Sequence, residues 1–484
     1  MVSAAPPIPT APVHREAYQL AVDARDPRFD GVFFVGITTT HVYCRPICPS
    51  RLAYDRHRRF FDSAAAAERA GFRPCLRCRP ELAPGAGRAG VGAVSHLAQL
   101  ATQRIAAGAL NDRSVAELAG ELGVSERHLR RALEREIGVS PLGLAQTHRL
   151  LLAKRLLVDT DLSVTRVAYA SGFQSLRRFN ASFREQYGMP PSALRRRTTV
   201  PSRPTASLRL TLAYRPPLAW DALLDSLRAV ATPGVEVVVG RRYGRTVRIG
   251  GQSGVVFAAD TPGNHLAVEV SASLLPVLMP LIAGLRRLFD LDAEPAVVDA
   301  HLAAGGLGTL VQQRPGVRLP GALDGFEVAL QMLLRGRGCL GRVAAALGES
   351  LETGVPGLTH LAPSATRIAE AGAARLARLG VPPRRAAAVH ALAHAVLGGA
   401  LRLERGSDVA ATRRALLELG GIGERLATLI VMRALSWPDA FHTKDRALQV
   451  RAEAWRPWRA YAALHLVPGR SLAALGPKQA RQVR

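Results

Sequence analysis

The chain has 484 residues, 48% of them hydrophobic, which is too long for one core and too apolar for disorder, so about three or four domains are expected. Its formal charge of +26 excludes an acidic, DNA-repelling surface and points to a polyanionic partner. The excess is spread along the chain: residues 1–90 carry 13 basic and 8 acidic groups, 91–200 carry 16 and 9, and 201–484 carry 35 and 21. The start, "MVSAAPPIPT", lacks the basic and apolar regions of a secretory signal, and the apolar run at 274–285 is broken by Pro276 and Pro280. A soluble, cytoplasmic and nucleoid-associated protein with no membrane partner is therefore expected.

The first informative elements are "VYCRPICPS" at 42–50 and "FRPCLRCRP" at 72–80, which hold four of the five cysteines. In a reducing cell, disulfides are not expected and clustered cysteines read as metal-binding or catalytic. Cys44-x3-Cys48, 26 intervening residues and Cys75-x2-Cys78 can complete one tetrathiolate zinc site. Spacing alone leaves open a zinc-stapled module without chemistry and a redox switch. The stretches "RDPRFDGVFFVGITTTHVYCRPICPSR" and "RFFDSAAAAERAGFRPCLRCRPEL" resemble the N-terminal domain of the Ada family of DNA methylation-damage repair proteins, over residues 17–83. The resemblance implies one zinc ion, structural and catalytic, held by Cys44, Cys48, Cys75 and Cys78. It also implies that Cys44 takes a methyl group from a methylated backbone phosphate. A methyl phosphotriester needs a soft nucleophile, and a bound zinc keeps a thiolate ionised at neutral pH. Arg45, with Arg73 and Arg77, borders the cysteines and is a candidate phosphate contact.

After a small-residue linker at 84–92 come two similar units, 114–141 and 163–191. In each, a Ser-capped helix leads through a turn at Gly123 or Gly172 to a second helix beginning near Ser125 or Gln174. Ser114 to Pro141 and Ser163 to Pro190 both span 27 positions, an internal repeat of helix-turn-helix units. Arg127, Arg130 and Arg131 in one second helix, and Gln174, Arg177 and Arg178 in the other, form polar faces expected to contact DNA. Leu129, Leu133, Phe179 and Phe183 are expected core. Residues 95–197, with "ASGFQSLRRFNASFREQYGMPPSALR", resemble an AraC-type activator domain, which implies two recognition helices in successive major grooves and RNA polymerase as a partner.

A basic, proline-bearing linker is expected at 195–207, followed by strands in "VEVVVG", "TVRIGG", "GVVFAAD" and "HLAVEVS" and helices at 220–230 and 274–289. From Asp324 onwards alanine- and leucine-rich helix dominates. In "LGGIGERLATLIVMRAL" the backbone N–H groups around Gly421 and Gly423 can grip phosphate without reading sequence. Asp445 follows Gly423 by 22 residues. "RLFDLDAEPAVVDAHL", "RLPGALDGFE", "LGGIG" and "WRPWRAYAALHL" resemble the AlkA family of 3-methyladenine DNA glycosylases, helix-hairpin-helix enzymes with an N-terminal α/β domain. The resemblance implies a catalytic Asp445 that stabilises an oxocarbenium-like centre and helps water attack a flipped-out nucleotide. A lyase would want lysine where Arg425 stands, and arginine forms no Schiff base, so no lyase step is expected. The chain departs from the family where an aromatic base pocket is usual, at Arg425 and Leu429, and where a wedge residue is usual, at Arg337. Lys444 beside Asp445 has no assigned role. Trp455, Trp458 and Tyr461 read as packing, and Cys339 as a small buried hydrophobe.

The expected fold is multidomain, mainly α with α+β parts. It comprises a small zinc α/β domain (1–83), two helix-turn-helix units (93–197), an α/β N-terminal glycosylase domain (208–290) and an all-α helix-hairpin-helix domain (291–484). The expected function is alkylation repair with transcriptional control. Cys44 would accept methyl from phosphotriesters, and the C-terminal half would act as a monofunctional glycosylase on bases such as 3-methyladenine. Double-stranded DNA is the expected partner and the monomer the expected state. One alternative is a methylation-sensing activator whose glycosylase half only binds DNA; another is a redox or zinc sensor. The Pro-Cys-His-Arg motif of a second Ada methyltransferase is absent from the sequence, so repair of alkylated guanine oxygen is not expected.

Overall fold

The computed structural model describes residues 12–85, 95–196, 207–336 and 338–467, so most of both expected linkers, and Arg337, lie outside the described residues. The chain divides into two compact units, one of residues 1–215, 272–283 and 291–294, the other of 216–271, 284–290 and 295–484. Among the described residues no helix is long and apolar enough to cross a membrane.

The first unit opens with a small sheet of Phe34–Ile37, Val42–Cys44, Arg58–Phe61 and Arg73–Pro74. Phe34–Ile37 pairs antiparallel with Val42–Cys44 and Arg58–Phe61, while Arg73–Pro74 runs parallel to Val42–Cys44. The period of two sends neighbouring residues to opposite faces. Phe33 and Val35 pack with Ala21 and Val22 on one side, and Phe34 packs with Tyr43, Ala67 and Phe72 on the other. Beyond residue 95 the unit is helical. Two pairs, Val115–Glu121 with Glu126–Glu136 and Val164–Ala170 with Leu176–Tyr187, flank the long Pro141–Asp159 helix. Serines at 114, 125, 140, 163 and 175 all accept a backbone N–H as N-caps, and Ser114 completes a capping box with Glu117. Gly123 and Gly172 turn with φ of +71° and +86°, which is why glycine recurs there. Leu129, Leu133, Phe179 and Phe183 are fully buried, as helical spacing predicts. The second helix of the second pair starts at Leu176 with Ser175 as its cap, so Gln174 lies ahead of it.

The second unit contains an antiparallel meander of Glu236–Val239, Arg242–Ile249, Gln252–Thr261 and His265–Ser271. The strand expected from "TVRIGG" begins earlier, at Arg242, because Tyr243 and Arg245 point into the core. Arg245 is held there by Glu327 at 2.7 and 2.8 Å. Burial pushes the Glu327 carboxyl up to about 7, against the pull of Arg245. Gln331 bonds both Glu236 and Arg433, so the same network reaches the helix Glu424–Ala434 that carries the hairpin site. The remaining helices enclose one apolar cluster that includes Phe326, Leu333, Leu392, Ile430 and Trp455. The helix expected over 274–289 is α-helical only from Leu278 to Leu288, after a 3₁₀ stretch that contains Pro276.

Candidate functional site

Strand register assembles the cysteine centre. Parallel pairing sets Val42 opposite Arg73 and Tyr43 opposite Pro74, so the next residues along the two strands are Cys44 and Cys75. A turn closed by Cys48 N–H on the Arg45 carbonyl at 3.1 Å, and the short loop to Cys78, bring in the other two thiols. The four Sγ atoms lie within 4.8 Å of one another. Sulfurs around one tetrahedral zinc sit about 3.8 Å apart for Zn–S bonds near 2.3 Å, so the donor set and spacing suit such an ion. Proton sharing, with Cys48 first, raises the Cys44 thiol pKa, and the same sharing with Cys44 lowers that of Cys48. A divalent cation would relieve this competition by taking all four as thiolates.

The four sulfurs are not equivalent. Cys48, Cys75 and Cys78 are buried, whereas Cys44 is partly exposed. The Arg45 N–H donates to Cys78 Sγ and the Arg77 N–H to Cys75 Sγ, both at 3.3 Å. The Ser50 hydroxyl serves Cys48. Among the described residues no backbone N–H or hydroxyl donates to Cys44, and it is the one residue of the four that is not buried.

Arg45 is not a free phosphate contact. Its guanidinium forms an ion pair with Asp30, with Nε at 2.8 Å, and also reaches the Cys78 carbonyl at 3.2 Å. A partner fifteen residues upstream is invisible to local reading, and its effect is to brace the cysteine loops. Sequence reasoning also missed Lys154, on the Pro141–Asp159 helix. Its ammonium is buried against Glu81 and donates to the Cys75 carbonyl at 3.0 Å. Arg79 binds Glu81 at 3.0 Å and Asp159 at 2.7 Å in the same cluster. Nearby, Glu68 accepts from Tyr43 at 2.9 Å and Thr147 at 2.6 Å, and burial lifts its carboxyl to about 7. The signal available was that Lys154 is one of only three lysines in an arginine-rich chain.

On the helix pairs, Arg127, Arg131, Arg177 and Arg178 are exposed. Arg130 is half-buried and paired along its own helix with Glu126, with Nε at 2.8 Å. Gln174 lies just ahead of its helix, exposed, and donates to the Asn111 carbonyl at 3.4 Å.

In the second unit the helices Val409–Glu418 and Glu424–Ala434 are joined by the glycine hairpin. Ile422 is buried and anchors it. Gly421 has φ of +95°, and a Cβ there would lie 3.1 Å from both the Ala388 Cβ and the Arg384 carbonyl. Gly423, at φ −94°, is the N-cap and meets nothing, so its value is the exposed backbone at a helix N-terminus. Asp445 is half-buried and caps the helix Arg446–Ala452, its Oδ1 accepting the Leu448 N–H at 3.0 Å. Its own N–H is fixed by Thr443 at 3.2 Å, and among the described residues no cation pairs with the carboxylate. A small cleft next to the hairpin is lined by Arg425, Thr428, Leu429, Met432, Phe441 and His442. Burial first, then Arg425, Arg413 and Lys444, lower the His442 pKa, so its ring is neutral near pH 7. Trp455, Trp458 and Tyr461 are core residues, with Trp455 Nε1 on the Gly305 carbonyl at 2.9 Å. Cys339 is buried, its thiol on the Gly380 carbonyl at 3.1 Å.

Comparison with known proteins agrees with this layout. Residues 17–81 match the metal-binding domain of Ada, 118–197 a helix-turn-helix domain, and 209–324 the AlkA N-terminal domain. A Mycobacterium tuberculosis protein named "Probable bifunctional transcriptional activator/DNA repair enzyme AlkA" is 37% identical over 476 residues, covering 92% of this chain and 94% of its own. "DNA-3-methyladenine glycosylase 2" of Escherichia coli is 34% identical over 276 residues, 53% of this chain and 95% of its own. The Escherichia coli "Bifunctional transcriptional activator/DNA repair enzyme Ada" is 31% identical over 175 residues, 36% of this chain and 47% of its own. The chain therefore belongs to the bifunctional transcriptional activator/DNA repair enzyme family, with an Ada-type metal-binding domain and a helix-turn-helix domain fused to an AlkA-type glycosylase.

Proposed function

We propose that this protein repairs alkylated DNA at two kinds of lesion and reports the first to transcription. Residues 1–83 act as a methyl acceptor, 93–197 read DNA through two helix-turn-helix units, and 208–290 with 291–484 form a glycosylase. The observation that carries the reading is the asymmetry of the cysteine centre: Cys44 is partly exposed and, among the described residues, accepts no backbone N–H, whereas Cys75 and Cys78 are buried and each accept one. Zinc bound by Cys44, Cys48, Cys75 and Cys78 supplies thiolate character at neutral pH. The Cys44 sulfur attacks the methyl carbon of a phosphotriester; the S–C bond forms, the C–O bond breaks, and the phosphodiester anion leaves. The thioether no longer carries negative charge, so repulsion between the centre and DNA phosphates falls. Arg127, Arg131, Arg177 and Arg178 then contact DNA, and RNA polymerase is the partner that reads the bound state. The protein acts as a cytoplasmic monomer on the nucleoid.

In the C-terminal half, Gly421 and Gly423 present backbone N–H groups to phosphate, and Asp445 is the catalytic carboxylate of a monofunctional glycosylase acting on alkylated bases such as 3-methyladenine. Arg425 in place of a lysine supports hydrolysis without a lyase step. The competing reading, a half that only grips DNA, is favoured by the cap that Asp445 provides to its own helix.

The test is mass spectrometry of the full chain after incubation with DNA carrying methyl phosphotriesters. One added methyl on the peptide containing Cys44, with metal retained, is expected. A disulfide with metal loss, or no change, would remove the methyl-acceptor reading.

A further inference from the structure

Residues 443–449 are tied together by three hydrogen bonds around Asp445. Gln449 Nε2 donates to the Thr443 carbonyl at 2.7 Å, Thr443 Oγ1 accepts the Asp445 N–H at 3.2 Å, and Asp445 Oδ1 accepts the Leu448 N–H at 3.0 Å. Thr443 is 5% exposed, so this ring is fixed to the core at its first residue. The helix that follows, Arg446–Ala452, has seven residues, and of these only Leu448 and Ala452 are buried. A helix this short has little stability of its own and holds through its cap and its packing. Gln449 is exposed, yet its amide turns back across the first turn to the Thr443 carbonyl, at a cost in rotamer freedom. The cap engages one carboxylate oxygen; among the described residues Asp445 Oδ2 has no partner.

We propose that Gln449 is a positioning residue for base excision. Its bond to the Thr443 carbonyl holds the Asp445 carboxylate with Oδ1 committed to the helix and Oδ2 left for the reacting nucleotide. The proposal rests on reading Asp445 as the catalytic carboxylate.

In that reaction the C1′–N bond breaks with its electron pair on the base, water oxygen bonds to C1′, and the water proton passes to Asp445 and on to solvent. The carboxylate has to stand beside C1′ while positive charge develops there, and a displacement of about 1 Å costs on the order of a hundredfold in rate. Thr443 fixes the backbone of Asp445, and the Leu448 N–H fixes one of its oxygens. Gln449 joins the end of the first turn to the buried residue that precedes it, so the turn cannot pivot about Leu448 and carry the carboxylate with it.

The experiment is single-turnover release of 3-methyladenine from duplex DNA by the full-length, metal-loaded protein over a range of protein concentrations. It gives the maximal rate and the half-saturating concentration separately. Gln449→Met has similar length and no donor, and Gln449→Glu has the same shape but only accepts at neutral pH. Both should lower the maximal rate by about tenfold or more, with half-saturation within about twofold of wild type. Gln449→Lys keeps a donor that can reach the Thr443 carbonyl and should retain most of the wild-type rate. Because Gln449 is exposed the variants should fold, which equal urea midpoints would check. Maximal rates within about twofold of wild type in the Met and Glu variants overturn the proposal. So does an equal loss in Gln449→Lys, or a loss seen only in half-saturation, which would make Gln449 a DNA contact. No release by wild type that still binds the duplex, or release that survives Asp445→Asn, overturns instead the reading of Asp445 on which the proposal rests.

Discussion

The buried ion pair between Lys154 and Glu81 makes a quantitative claim about how the cysteine centre is held. Both side chains are 1% exposed, and Lys154 has one further acceptor, the Cys75 carbonyl at 3.0 Å. Removing one partner of such a pair leaves an uncompensated buried charge and costs about 3–5 kcal/mol. Glu81 keeps Arg79 at 3.0 Å when Lys154 is removed, so Lys154→Met should fall at the low end, about 3 kcal/mol. Glu81→Gln leaves the ammonium with only neutral acceptors and should cost about 4 kcal/mol. The double variant should cost less than the two together, with a coupling of about 2 kcal/mol. Urea unfolding of the metal-loaded protein, followed by metal release and by tryptic protection of the Pro141–Asp159 helix, measures all four corners of the cycle. Additive effects within about 0.5 kcal/mol would show that the pair does not tie the cysteine loops to this helix, and the reasoning would fail.

The two hairpin glycines should separate cleanly. Gly421→Ala puts a Cβ into a 3.1 Å contact at positive φ, so it should destabilise by about 1–3 kcal/mol and weaken the hairpin's share of lesion-independent DNA binding. Gly423→Ala meets nothing, so it should change stability by less than about 0.5 kcal/mol, with any effect confined to DNA affinity. His465 is 1% exposed, and burial first, then Arg314, pushes it down to about 4. Below its ordinary value of 6.5 the unfolded chain takes up a proton that the folded chain refuses, so this contribution is present at neutral pH and is lost as pH falls. Between about pH 6.5 and 4 the loss is on the order of 3 kcal/mol, and the difference between wild type and His465→Leu in urea melts isolates it. Glu327, raised to about 7, contributes with the opposite slope, but it is common to both proteins and cancels. An equal acid slope in His465→Leu would contradict the assignment.

What was legible in the sequence follows from how local each signal is. The cysteine quartet is a spacing and composition signal, and the sulfurs converge as that spacing predicts. The repeated serine caps and the turn glycines also act within a few residues, and both helix pairs appear where those residues stand. The helix expected near Gln174 starts two residues on, at Leu176, because Ser175 supplies the cap, and cap choice shifts a helix start by one or two positions. Arg45 was read as a surface cation because its partner Asp30 comes from a separate turn. Arg245 and Glu327, 82 positions apart, form a buried pair that no periodicity announces. Charge clusters of this kind are tertiary facts, visible only once the sheet and helices bring their carriers together.

The most direct test of the account is release of free base by the full chain from duplex DNA carrying 3-methyladenine, wild type against Asp445→Asn. The substitution keeps a side-chain oxygen to cap Arg446–Ala452, so the fold should hold while the carboxylate is lost. Release by wild type that falls by about a thousandfold in Asp445→Asn is the predicted result. Equal release by both proteins, or none from either while DNA binding persists, would contradict Asp445 as the catalytic group of a working glycosylase.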